Sequence, residues 1–242
     1  MDKILQNFRD EIDDIDSQLV SLLQQRMQVV TKVADHKRAT KQDSFMMRPH
    51  REEEVLAKVM QTNQDNQFLT NANLYKLWRV IIMLALQHEK KFSIACLNNN
   101  NTIKVAYTHF SAISDINLFD DYETIFSNLH DPDNDIDLAV VSHFGCSRHK
   151  NWWKILWQYP DTKILLKLKN KLVIGRENIT MDAPSAMLHQ VIASNSKVDN
   201  AIEVFADETE AENKYINILT GDNYLQQKTD IILGSYIKCL CH

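Results

Sequence analysis

Residues 1–48 contain no glycine and no proline, and an apolar stripe runs through them at Ile4, Phe8, Ile12, Ile15, Leu19 and Leu22. Steps of three or four residues are the period of one helix face. The stretch therefore reads as a single helix from about Ile4 to about Thr40, roughly 55 Å long at 1.5 Å per residue. The same steps continue through Arg26, Val30, Val33 and Lys37, so two cations stand on the apolar face and are expected to point inward with the core. One reading is that both lay their stems along apolar surface and lift the charge into water. The other is a shared anion between them, since eleven residues of helix separate them by roughly 16 Å.

Composition limits what such an anion could be. The 242-residue chain is 44% hydrophobic and 24% charged, with 27 Lys plus Arg against 32 Asp plus Glu. A net charge of −5 provides no basic field for nucleic acid or for an anionic membrane. The acidic start MDKILQNFRDEIDDID lacks the basic and apolar regions of a signal peptide, and no apolar run reaches membrane-spanning length, so a cytoplasmic protein is expected. Cys96, Cys146, Cys239 and Cys241 form no disulfide framework. The terminal CLCH has no second ligand pair, and the nine histidines are scattered, so neither a metal nor a cofactor is expected.

Up to residue 92 the pattern is helical and the charge nearly balanced. A second helix opens at RPHREEEVL, where Pro49 suits a first turn and the glutamates complement the N-terminal dipole. A third runs from about Asn71 to Lys90 on a stripe of Leu74, Trp78, Ile82 and Ala85, and the next step lands on Glu89. The polar run CLNNNNT then reads as a linker, placed at residues 93–102. Residues 103–242 carry the surplus of acid and short strand-like runs: IKVAY, DLAVV, KILLKL, KLVIG, AIEVF, YINIL and IILGSYI. This part is expected to be an α/β or α+β domain, with Trp152 and Trp153 as core or interface aromatics.

Arg26, Lys37, Arg51, Glu52 and Glu89 interrupt or flank the helical faces. Several cations with one or two carboxyls in a small helical domain describe a pocket for a compact, multi-anionic ligand. Arg9 is 17 residues from Arg26, roughly 25 Å along the axis, too far for both to grip one small molecule within a single chain. A helix this long also exceeds a monomeric three-helix domain of about 90 residues, whose radius of gyration is near 12 Å. An intertwined homodimer answers both difficulties.

Taken together, FRDEIDDIDSQLVSLLQQRMQVVTKVADHK, RPHREEEVL and LWRVIIMLALQHE closely resemble the all-helical chorismate mutase family, in order and spacing, over roughly residues 5–90. The resemblance implies an all-α, intertwined dimeric mutase domain at residues 1–92 that converts chorismate to prephenate in phenylalanine and tyrosine biosynthesis. It implies that Arg9 from the partner chain, Arg26 and Arg51 hold the substrate carboxylates. Lys37 would contact the ether oxygen and a carboxylate, and Glu52 the ring hydroxyl. Ala85 stands where many members have serine, and Glu89 where glutamine is common, opposite Lys37 across the ether oxygen. IKVAYTHFSAISD and IDLAVVSHFGCSR are faintly similar to prephenate dehydratase domains, but the glycines of the opening motif and the Thr-Arg-Phe motif are absent. Dehydratase activity is not expected. A noncatalytic or regulatory domain is, with an aromatic amino acid as possible effector. The competing expectation is a pseudoenzyme whose helical part only dimerises the chain.

Overall fold

The computed structural model describes residues 3–40, 46–63, 68–89, 91, 93–110, 114–143, 152–176, 180–181, 188–206, 215–220 and 231–238. A helical N-terminal region is followed by a sheet-rich region. The first helix, α1, spans Lys3–Ala39, within a residue of the expected limits, and His36, Lys37 and Arg38 in its last turn complement the C-terminal end of the dipole. Every residue from 3 to 25 is exposed in the single chain, including the whole apolar stripe as far as Leu22. Cover begins at Arg26, and Ala34 is the buried residue of the helix. The stripe thus has the expected period, but among the described residues of one chain its cover begins in the C-terminal third.

A two-residue strand, β1 (Met46–Met47), precedes α2 (Pro49–Thr62), which opens on Pro49 as its sequence predicts. At the other end of α2, Asn63 donates through Nδ2 to the Leu69 carbonyl at 2.6 Å and to Asn71 Oδ1 at 3.1 Å, fastening the turn into α3 (Asn71–Glu89). α3 has more than one packed face. It contacts α1, α2 and the next helix, and Met83 and Leu86 join an apolar cluster that belongs to the sheet.

The expected linker at 93–102 is not one. Ser93–Leu97 is β2, and the chain turns directly into α4 (Asn100–Phe110). The asparagine run fits because Asn99 Oδ1 accepts from the Thr102 backbone N–H at 2.9 Å, a helix N-cap of the kind asparagine serves well. IKVAY is helical for the same reason that α1 is: Ile103, Ala106 and Phe110 fall at steps of three and four and turn toward the sheet.

The remaining elements follow as β3 (Asp115–Phe119), α5 (Tyr122–His130), β4 (Ile136–Ser142), α6 (Trp152–Leu156), β5 (Thr162–Leu168) and β6 (Lys171–Arg176). After them come β7 (Thr180–Met181), β8 (Leu188–Ser194), β9 (Glu203–Ala206), β10 (Tyr215–Thr220) and β11 (Ile231–Lys238). Nine strands form one mixed sheet in the order β3-β2-β4-β6-β5-β11-β8-β10-β9, while β1 pairs with β7. β3, β2 and β4 are parallel and joined by α4 and α5, whereas β6 runs antiparallel to both of its neighbours, β4 and β5. Alternate residues of β2 serve opposite faces: Ala95 and Leu97 pack with α5 and α6, and Ile94 and Cys96 with α3 and α4. Trp152 and Trp153 are core aromatics, as anticipated.

The far half of the sheet curls. β9 is four strands from β5, about 19 Å at ordinary strand spacing, yet Lys167 Nζ of β5 lies 3.0 Å from Glu203 Oε1 of β9. Gly234 permits the close pairing of β11 with β5. Its φ is +131°, and a Cβ there would stand 2.4 Å from the backbone nitrogen of Ile164. Near α5, Arg176 gathers loop carbonyls, donating from Nε to Leu129 and from Nη2 to Asp131, Asn134 and Ile136 at 2.7 to 3.0 Å.

Cys96 is buried, and burial pushes its thiol pKa up to about 11, which makes it a core residue and a poor nucleophile. Cys146, Cys239, Cys241 and the CLCH end lie outside the described residues. No helix among the described residues is long and apolar enough to cross a membrane.

Candidate functional site

The C-terminal part of α1 lies along α3, and two bonds fix its direction. Arg26 donates from Nη1 to the Ile81 carbonyl at 3.3 Å, and Thr31 Oγ1 lies 2.8 Å from His88 Nε2. Both partners advance along the chain together, so the two helices run the same way. The Thr31 hydroxyl also lies 3.0 Å from the Met27 carbonyl of its own helix. Lys37 follows a turn and a half beyond Thr31, half-buried at the end of α1.

Arg26 is the best-defined cation of the group. It is half-buried, and the loss of solvent lowers its guanidinium pKa, although an arginine stays charged. Its anchor, the Ile81 carbonyl, is one helical turn before half-buried Ala85. Positive charge and the α3 face that includes Ala85 are therefore adjacent. Glu89 ends α3, and its side chain lies outside the described residues.

Arg51 and Glu52, at the opening of α2, point to different partners. Arg51 is exposed and pairs along its own helix with Glu54, Nη1 to Oε2 at 2.8 Å, and this hydrogen bond is the main reason the Glu54 carboxyl lies below its ordinary range. Glu52 turns toward α3 and takes a charge-assisted bond from Arg79 Nη1 to Oε2 at 2.7 Å. Arg9 is exposed on the bare part of α1.

Arg26 and Glu52 thus both meet α3, on stretches beginning at Arg79 and Ile81. Arg51 shares the start of α2 with Glu52 but is aimed elsewhere, and Arg9 stands apart on bare helix. Arg79 itself is only 2% exposed and was not among the residues singled out from sequence. Its Nη2 lies 2.8 Å from Nε2 of His109 on α4. Burial holds His109 well below its ordinary pKa, the nearby Arg79 charge adds to this, and the neutral ring accepts the bond. A signal for Arg79 was present. Arg79, Ile82, Met83 and Leu86 form a second apolar face of α3 broken by one charge, the same irregularity that marks Arg26 and Lys37.

No curated protein matches the chain. Solved structures similar to it include two with these particulars. One is GqqA, described as a novel type of quorum quenching acylase, at 12% identity and a TM-score of 0.42, covering 60% of this chain and 94% of that one. The other is prephenate dehydratase from Streptococcus mutans, at 16% identity and a TM-score of 0.38, covering 61% of this chain and 98% of that one. Over residues 8–90, the span of α1 to α3, the chain matches the family model of chorismate mutase type II.

Proposed function

We propose that the protein is a chorismate mutase that works as a homodimer. The observation that carries this reading is the setting of Arg26: a desolvated guanidinium anchored on α3, on a helix whose N-terminal two thirds lie bare. A second α1 laid antiparallel would cover the bare stripe and bring the partner's Arg9 toward Arg26. Arg26, Arg51 and that Arg9 then hold two carboxylates, Lys37 the ether oxygen and a carboxylate, and Glu52 the ring hydroxyl.

The reaction is an internal rearrangement in which a C–O bond breaks as a C–C bond forms. It requires the dianion to be folded into a chair-like shape and positive charge to meet the ether oxygen. Arginine forks suit the first requirement and Lys37 the second. Arg51 must leave Glu54 to reach substrate, a small cost because the pair is exposed to solvent. Glu52 keeps Oε1 for the hydroxyl while Arg79 holds Oε2. Ala85 gives up the contact that a serine would make, and Glu89 serves the ether oxygen only as the neutral acid. The sheet-rich region acts as a noncatalytic or regulatory domain, for which an aromatic amino acid is a candidate effector.

The test is to follow chorismate loss with prephenate and phenylpyruvate measured in the same tube. Chorismate should be consumed without phenylpyruvate. Lys37→Ala should lower kcat on the order of 10²-fold, as for loss of an oxyanion-type donor. Arg9→Ala and Arg26→Ala chains, each inactive, should on mixed refolding recover up to about a quarter of the sites if dimers form at random. A folded parent that leaves chorismate untouched would support the dimerisation-only alternative. Mixed chains that exchange and recover nothing would refute the shared site.

A further inference from the structure

Three helices meet at one guanidinium. Arg79 lies on α3, Glu52 at the start of α2, and His109 near the end of α4. The Arg79 fork spans the other two, with Nη1 to Glu52 Oε2 at 2.7 Å and Nη2 to His109 Nε2 at 2.8 Å. Of these elements α4 alone belongs to the sheet-rich region, where it connects the parallel strands β2 and β3. The junction is closed, for Arg79 is 2% and His109 7% exposed, and the Glu52 side chain is 12% exposed.

We propose that His109 is a positioning residue for the mutase site, holding the Arg79 fork so that Arg79 fixes the Glu52 carboxylate for the substrate's ring hydroxyl. The inference rests on the function proposed above and deepens it: the sheet-rich region supplies part of the scaffold of the site. A guanidinium bonded at one end only can swing about its terminal torsions. Bonded at both ends to different helices, its plane is fixed, and the carboxylate it holds is fixed with it.

Two further features support the arrangement. His109 must present a lone pair at Nε2, and burial keeps the ring neutral, where an imidazolium would have none to offer and would repel Arg79. α4 itself cannot drift, because Ala106 and Phe110 pack with Met83 of α3 and with β2, and Phe110 meets the His109 ring edge to face at 4.8 Å. A purely structural ion pair would need only Glu52 and Arg79. The third member adds direction.

The experiment uses the full-length chain. His109→Phe keeps an aromatic ring and removes the acceptor, and His109→Gln returns an acceptor at similar reach. Arg79→Lys keeps the charge beside Glu52 and loses the fork. Steady-state kinetics on chorismate should show His109→Phe and Arg79→Lys each lowering kcat/KM about tenfold or more, the scale of one hydrogen bond to a charged group. His109→Gln should recover most of it. In a Glu52→Gln background, His109→Phe should cost less than about twofold, because the residue through which it acts is already changed. The proposal is overturned if folded His109→Phe or Arg79→Lys has parent kinetics, or if the His109 and Glu52 effects multiply. Should His109→Phe not fold, Arg79→Lys and His109→Gln decide it alone: parent kinetics in Arg79→Lys, or no better activity in His109→Gln than in Arg79→Lys, sinks it. An inactive parent would instead remove the mutase reading itself, and this inference with it.

Discussion

Replacing Leu19 with alanine should weaken self-association of the chain far more than it disturbs the fold of one protomer. Ile4, Phe8, Ile12, Ile15, Leu19 and Leu22 are between 50 and 64% exposed in the single chain. Such a continuous apolar face marks an interaction surface. A fully buried Leu→Ala change costs about 2–5 kcal/mol. Leu19 retains 53% exposure, so about half of that cost belongs to the partner interface, about 1–2.5 kcal/mol per copy. A two-fold dimer counts the change twice. The expected loss is about 2–5 kcal/mol of association, or roughly 30- to 4,000-fold in Kd.

Sedimentation across a dilution series measures this directly, and activity in the same series gives a second reading, since the proposed site, completed by the partner's Arg9, would be lost on dissociation. Gln28→Ala is the control, nine residues along the helix and thus on the opposite face, where it should leave Kd unchanged. The reasoning fails if Leu19→Ala and Gln28→Ala dissociate alike, or if the parent is monomeric at every concentration.

Gly234→Ala should destabilise the protein by about 3 kcal/mol or more, read as a clear drop in melting temperature, because its Cβ would meet backbone atoms of Ile164 at 2.4 and 2.5 Å and cannot displace them; an unchanged melt would contradict the pairing described. His143 should make the fold acid-sensitive: burial foremost, with Lys167 next and Glu203 opposing, depresses its pKa to about 4, against about 6.5 unfolded. Below pH about 6.5 the unfolded chain then binds a proton that the native chain refuses, so stability, complete above that pH, is lost toward pH 4. His143→Gln should flatten part of that slope in denaturant titrations, and an identical slope would discharge His143. On the proposed mechanism, Glu89→Gln should consume chorismate faster than the parent near pH 8, since an amide donates a hydrogen bond where a carboxylate cannot; a rate no higher than the parent's would remove Glu89 from the mechanism.

The helical region was legible because its signals are local. An uninterrupted stripe gave α1, and Pro49 gave the start of α2, each within a residue. What failed was the step from periodicity to surroundings. A stripe states which residues share a face but not what covers it, and residues 3–25 of α1 are exposed in the single chain. The misread linker has a different cause. Polar residues without period look alike whether they are solvated chain or a cap, and only the bond from Thr102 to Asn99 separates the two.

Arg79 and His109 show the last kind of blindness. α3 is packed on more than one side, so a single stripe through Leu74, Trp78, Ile82 and Ala85 accounts for one face and hides a charge on another. Scanning every face for a lone charge would have found Arg79. Nothing local would have found His109, because its role depends on a partner 30 residues away that reaches it only through tertiary packing. The strands of the sheet were similarly visible one by one, whereas their order, with β11 beside β5 and β9 curled back to Lys167, is set by long-range pairing. Local chemistry therefore nominates residues. Whether a nominated charge faces solvent, substrate or another helix is decided by elements distant in sequence, and the Glu52–Arg79–His109 junction is where that decision falls on the proposed site.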